Sequence, residues 1–127
     1  MLPLRYPIAW ALSGWGLVVF VAVGSMMPGV VITGFPSADK IVHLLSYFLL
    51  MIWFSGLYSR QRHVVIALIL VTFGVLLEFL QTQLPYRFFD PLDLVANTVG
   101  VALGLILSFT LLAGWCQRIE RFLGYYN

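Results

Sequence analysis

Glu78-Phe-Leu-Gln81-Thr-Gln-Leu-Pro85-Tyr-Arg87-Phe-Phe-Asp90-Pro-Leu-Asp93-Leu-Val-Ala-Asn97-Thr-Val-Gly100-Val-Ala-Leu-Gly104 lies between two long apolar segments and turns one into the other. It holds Glu78, Arg87, Asp90 and Asp93, four of the chain's twelve charged residues. Ionisable groups at or inside the edge of a hydrocarbon layer are costly, so by default they mark a working site. The same stretch carries its own structural grammar. Pro85 stops the helix before it, and Asp90-Pro91-Leu92-Asp93 opens the next one with an acidic N-cap, a proline at the first position and a second carboxylate at the third.

Outward from this stretch the chain is a membrane sequence. Its 127 residues are 61% hydrophobic and 9% charged, against about 45–50% and about 25% in an ordinary globular domain. The expected fold is an all-α polytopic membrane bundle of four transmembrane helices, one domain over residues 1–127. The net charge of +2 and the lack of a basic run give no argument for nucleic acid, and the single Cys116 excludes an internal disulfide and a CxxC knuckle.

The first apolar run is Ile8–Met27. Arg5 before it raises the question of a signal peptide, but the run exceeds the ~7–15 residues of a signal h-region and ends without a small-x-small site, so a retained helix is expected. Residues 28–36, with two prolines and two glycines, read as a loop against the bundle or in the headgroup layer. Ser37 reads as an N-cap with Asp39 in the first turn, and the second span is Ile41–Tyr58. Ser59–His63 is a short basic turn, and Val64–Leu84 is the third span. The fourth runs from Asp90 to about Trp115, followed by a tail with an aromatic end at Tyr125-Tyr126. With four alternating helices, Arg5, Arg60, Arg62, Arg118 and Arg121 share one side and Lys40 and Arg87 the other. The positive-inside rule then puts both termini in the cytoplasm and the polar loops outside.

Most of the polar side chains fall on that outer side. Asp39, His43 and Tyr47 share a helix face, Glu78 and Gln81 another, and Asp93, Asn97, Gly100, Gly104 and Ser108 form a narrow stripe expected to face the bundle. Glu78, placed ~9 Å inside the third helix by six residues of rise, is a candidate acid/base or ligand-binding group paired to Arg87, Lys40 or His43; the alternative is a buried ion pair fixing helix register. His43 is a candidate general base or a partner for Asp39, and one histidine on this side is a poor basis for a zinc site. Lys40 and Arg87 suit a phosphate or carboxylate, or simply balance the acids. Asp90 reads first as a cap, Asp93 as both cap and site, and Gly100-x-x-x-Gly104 as close helix packing.

The combined pattern resembles the VanZ-like family. The resemblance rests on Asp39, Lys40 and His43, on Glu78, Gln81, Pro85, Arg87, Asp90, Asp93, Asn97 and Gly100 in order, and on Ser25 and Pro28 after the first helix. It implies a small four-helix protein of the bacterial cytoplasmic membrane, in a family named for lowered susceptibility to teicoplanin. The expected role is binding or modifying an anionic or lipid-linked cell-envelope component. Glu78 and His43 are then the candidate catalytic groups, with Asp39, Lys40, Gln81, Arg87, Asp90, Asp93 and Asn97 binding. The runners-up are a membrane-embedded enzyme acting on a phosphate or carboxyl group and a purely structural protein. No cofactor and no metal are expected; the lipid bilayer is a partner, and a homo-oligomer is compatible with so small a bundle.

Overall fold

The computed structural model describes residues 1–28 and 37–124. Five helices follow one another: α1 (Pro7–Met26), α2 (Ala38–Leu57), α3 (His63–Gln81), α4 (Pro91–Thr110) and α5 (Trp115–Phe122), with one 3-10 turn, Arg60–Arg62, between α2 and α3. The first four are long and apolar enough to cross a membrane. The expected all-α bundle of four spans is what the chain forms. The expectations for the loop at residues 29–36 and for Tyr125-Tyr126 lie outside the described residues.

The centre of the fold is the parallel pair α2–α4, the most intimate contact in the bundle. Its closeness comes from two glycines one helical turn apart. A Cβ on Gly100 would collide with the backbone carbonyl of Leu44, and one on Gly104 would come within 2.7 Å of Met51 Cβ. Without side chains at these points the two backbones meet directly, where dispersion is the main attraction available between helices in lipid. Tyr47, Leu50 and Met51 of α2, Val101 of α4, Ala67 and Leu70 of α3 and Val21 of α1 form the core around this seam.

Two boundaries and one cap differ from expectation. The third helix ends at Gln81, not Leu84. The N–H groups of Gln83 and Leu84 bond three residues back, to Leu80 and Gln81, a tighter winding suited to a chain approaching Pro85, whose ring disfavours α geometry in the residue before it. Glu78 therefore sits in the last turn of α3 and not deep within it. The fourth helix ends at Thr110, not near Trp115. Gly114 takes a left-handed conformation at φ 63°, and the chain reverses into α5, which the sequence reading placed partly in the span and partly in a tail. Ser37 precedes α2 but its side chain makes no capping bond, whereas Asp90 caps α4 through Leu92 N–H at 2.9 Å.

Helix α5 explains how the chain ends are tied. Glu120, 1% exposed, accepts hydrogen bonds from Arg5 N at 2.8 Å, Tyr6 N at 3.1 Å and Trp10 Nε1 at 2.9 Å. It thereby satisfies N–H groups at the start of α1 that the helix itself cannot. Trp10, Trp53 and Trp115 pack at ring separations of 5.4–5.8 Å, and Gly56 makes room for Trp115 and Cys116. On the same end His63 is buried between Tyr58 O and the Ser108 hydroxyl. The start of α1, α5 and the turn with Arg60 and Arg62 all lie at this end.

Two outcomes are expected. Gly100→Ala forces α2 and α4 apart and costs about 1–3 kcal/mol, read as a lower thermal midpoint in detergent. Gly16→Ala on α1, where a Cβ meets nothing within 4 Å, leaves the midpoint unchanged or raises it. Burial alone would raise the Glu120 carboxyl, but its three N–H donors outweigh that and hold it below the usual range. A depressed folded pKa means the clamp contributes fully above about pH 4.3, the unfolded value, and is lost as pH falls through the lower folded value. Thermal stability should decline in that acid range, and Glu120→Gln should flatten the decline and let protease into residues 2–6 at neutral pH.

Candidate functional site

At the other end of the bundle, α1 and α3 finish and α2 and α4 begin. Because α2 and α4 run parallel in tight register, their first turns stand side by side, and Lys40 faces Asp93 and Asp90 across the seam. Lys40 Nζ donates to Asp39 Oδ2 at 2.9 Å, Asp90 Oδ2 at 2.5 Å and Asp93 Oδ1 at 2.5 Å. The Lys40 ammonium, with the Leu92 N–H, holds the Asp90 carboxyl below its ordinary range. Oxygens of Asp39, Asp90 and Asp93 lie within 4.8 Å of one another, a spacing that could suit a metal ion. The Lys40 ammonium already sits among them and supplies the positive charge that an ion would bring.

One turn further in, His43 Nδ1 is 3.1 Å from Asn97 Oδ1, and its Nε2 faces Asp93 Oδ2 at 3.6 Å. Asp93, 5% exposed, is thus shared between lysine and histidine. Asp90 is the second shared residue. Its side chain caps α4 and binds Lys40, and its backbone N–H donates to Glu78 Oε1 at 3.0 Å. That last bond ties the end of α3 to the start of α4.

Glu78 is 2% exposed, and its other oxygen, Oε2, has no hydrogen-bond partner among the described residues. Tyr47 is 1% exposed, and its hydroxyl is likewise without a partner among the described residues. Gly74, one turn before Glu78 on α3, lets the Tyr47 ring and Asn97 amide approach: a Cβ there would lie 3.3 Å from Tyr47 Cε1 and 3.4 Å from Asn97 Nδ2. Tyr47 shares a face with Asp39 and His43 in the sequence. Its helical spacing was the signal; what could not be read was that its ring would pack at Gly74 with its hydroxyl buried.

Arg87 and Gln81 turn the other way. Arg87 donates to the carbonyls of Ser25 at 3.1 Å and Met27 at 3.0 Å, while its Nε is buried without a partner among the described residues. Gln81 Nε2 donates to the same Ser25 carbonyl at 2.5 Å, and the Tyr86 hydroxyl donates to Met26 O. These bonds satisfy the free carbonyls at the C-terminus of α1. All nine sequence-derived site residues therefore collect at one end of the bundle. Asp39, Lys40, His43, Asp90, Asp93 and Asn97 form one connected network, Glu78 joins it through the Asp90 backbone, and Gln81 and Arg87 hold α1 beside it. The expected direct pairing of Glu78 with Arg87, Lys40 or His43 is not among the ion pairs of the described residues.

A helical bundle with four span-length helices and one polar end defines a multi-pass membrane protein of a particular architecture. The model of the VanZ/LLP1 family matches residues 6–113, and the chain belongs to that family. It is also similar to the fission yeast (Schizosaccharomyces pombe) protein C11E3.10, described as uncharacterised, at 36% identity over 77 residues, covering 58% of this chain and 48% of the yeast protein. The chain thus spans about half the length of that relative. No solved structure matches the chain.

Removing Lys40 should be far more damaging than removing its most exposed partner. Lys40→Met leaves the buried Asp93 carboxylate without its cation and is expected to cost roughly 3 kcal/mol. Asp39→Asn removes a pair that is 41% exposed on the carboxylate side and should cost less than about 1 kcal/mol. Thermal unfolding of the purified protein in one detergent measures both.

Proposed function

We propose that the polar end of the bundle is a headgroup-binding site for a lipid-linked component of the cell envelope. The observation that carries this reading is a trio of buried polar atoms without partners among the described residues: Glu78 Oε2, the Tyr47 hydroxyl and Arg87 Nε. In a bilayer each such atom costs free energy unless something meets it, and one acceptor with two donors suits a ligand bearing hydroxyl or ammonium groups beside an acceptor oxygen. Four carboxylates against two cations make this end acidic, and the cations are engaged: Lys40 by three carboxylates, Arg87 by two carbonyls. That balance favours the lipid-linked over the purely anionic form of the expected ligand.

The arginine distribution supports an orientation with both termini inside and this site outside, and the family resemblance implies a single unit in a bacterial cytoplasmic membrane. There a ligand could be a cell-wall precursor, and a change in teicoplanin susceptibility would follow from holding or altering it. The relative in fission yeast supports a headgroup chemistry that bacterial and eukaryotic membranes share. An enzymatic reading keeps one support: Glu78 and Tyr47 are both buried at this end with unpartnered oxygens among the described residues, one a proton acceptor and the other a donor, with His43 one turn of α2 from Tyr47.

Tyr47→Phe separates binding from structure. Deleting a buried hydroxyl that has no protein partner should leave stability unchanged or raise it by about 1 kcal/mol. If the hydroxyl meets a ligand, the same change should weaken retention of native lipid-linked material by about tenfold, and Glu78→Gln should do likewise. Both variants, expressed in a teicoplanin-susceptible host beside wild type, are compared by lipid retention, susceptibility and folded protein in the membrane. Retention and susceptibility that follow only the amount of folded protein would refute the site.

A further inference from the structure

A groove of about 920 Å³ runs between α1 and α3 at the opposite, arginine-bearing end. It exists because α1 leans on α2: Gly14 allows Trp53 and Phe54 to within 3.3 Å of where its Cβ would be, while α1 touches α3 only sparsely. Trp15 stands edge-on to Phe54 at 6.1 Å and forms one wall. Ile69, Thr72 and Leu76 of α3 form the other. The single hydroxyl in that wall is spent, since Thr72 Oγ1 donates to Leu68 O at 2.9 Å, so the groove is apolar throughout its length. Arg62 closes the upper end, its guanidinium 6.0 Å over the Tyr58 ring.

We infer that this groove binds one anionic phospholipid, with an acyl chain along α3 and its phosphate at Arg62. Three features fit that occupant. The fourteen residues from Arg62 to Leu76 span ~21 Å at helical rise, so a chain rooted at Arg62 reaches past the middle of a ~30 Å hydrocarbon core. Arg60, Arg62, Arg118 and Arg121 gather a positive field at this end, and the one acid there, Glu120, is turned inward to the start of α1. A guanidinium offers a phosphate a two-pronged, charge-assisted grip that a zwitterionic headgroup partly cancels. The inference is independent of the polar end described above.

Full-length protein in a mild detergent is loaded with phosphatidylglycerol or phosphatidylcholine of identical chains, and retained lipid is counted by native mass spectrometry. Wild type should hold one phosphatidylglycerol with at least about fivefold preference. Arg62→Gln should bring the two lipids level, while helical content by circular dichroism stays the same. Thr72→Trp, a change at an exposed position, should fill the groove and reduce retention of both. Equal retention by wild type, or undiminished preference in Arg62→Gln, would overturn the inference. So would displacement by millimolar inorganic phosphate, which marks a free-phosphate site, or a Thr72→Trp effect on oligomeric state in place of lipid, which marks a groove covered by a second copy.

Discussion

The close parallel approach of α2 and α4 is the constraint on which everything else depends. Two glycines let the backbones touch, and the resulting register leaves Lys40 among Asp39, Asp90 and Asp93, and His43 against Asn97. Moving α4 by a single turn, about 5.4 Å, would separate Lys40 from Asp90 and Asp93 and His43 from Asn97, and leave charged groups to the bilayer. Packing and electrostatics therefore select the same register, and each makes slippage more costly than the other could alone. The charge network is not an addition to the seam but the polar continuation of it.

The two ends of the bundle use polar groups in opposite ways. At the α5 end the buried polar groups close on each other: Glu120 on the start of α1, His63 on Ser108 and Tyr58, Trp115 on the Ile52 carbonyl. The Cys116 thiol among them is pushed up to about 12 by burial and by Glu120, so it remains protonated and inert. At the α2–α4 end the network is deliberate but incomplete, with Glu78 Oε2, the Tyr47 hydroxyl and Arg87 Nε left over. Among the described residues three buried polar atoms are unmet at this end and none at the other, an asymmetry on which the proposed binding role rests. The chain belongs to the VanZ/LLP1 family over residues 6–113; the chemistry of the leftover atoms is what bears on the proposed ligand.

The sequence by itself determined the number of spans, their order and the grouping of polar residues at one end. Those follow from local physics: twenty apolar residues fit a bilayer, proline and Asp-Pro set helix boundaries, and a 3.6-residue repeat decides which side chains share a face. It also anticipated that Gly100 and Gly104 mark tight packing, because small residues four apart have few other uses in a membrane helix. Tertiary structure alone decided which charges meet. From sequence, Arg87, Lys40 and His43 were the candidate partners for Glu78, yet Arg87 reaches back to the end of α1 and the backbone N–H of Asp90 donates to Glu78. Helix α5 was invisible as an element because its eight residues bury only Cys116 and Glu120, and its reason for folding back is the Glu120 clamp on a segment more than a hundred residues earlier. Such pairings are set by how four helices lean on one another in three dimensions, and no spacing along one helix contains that information.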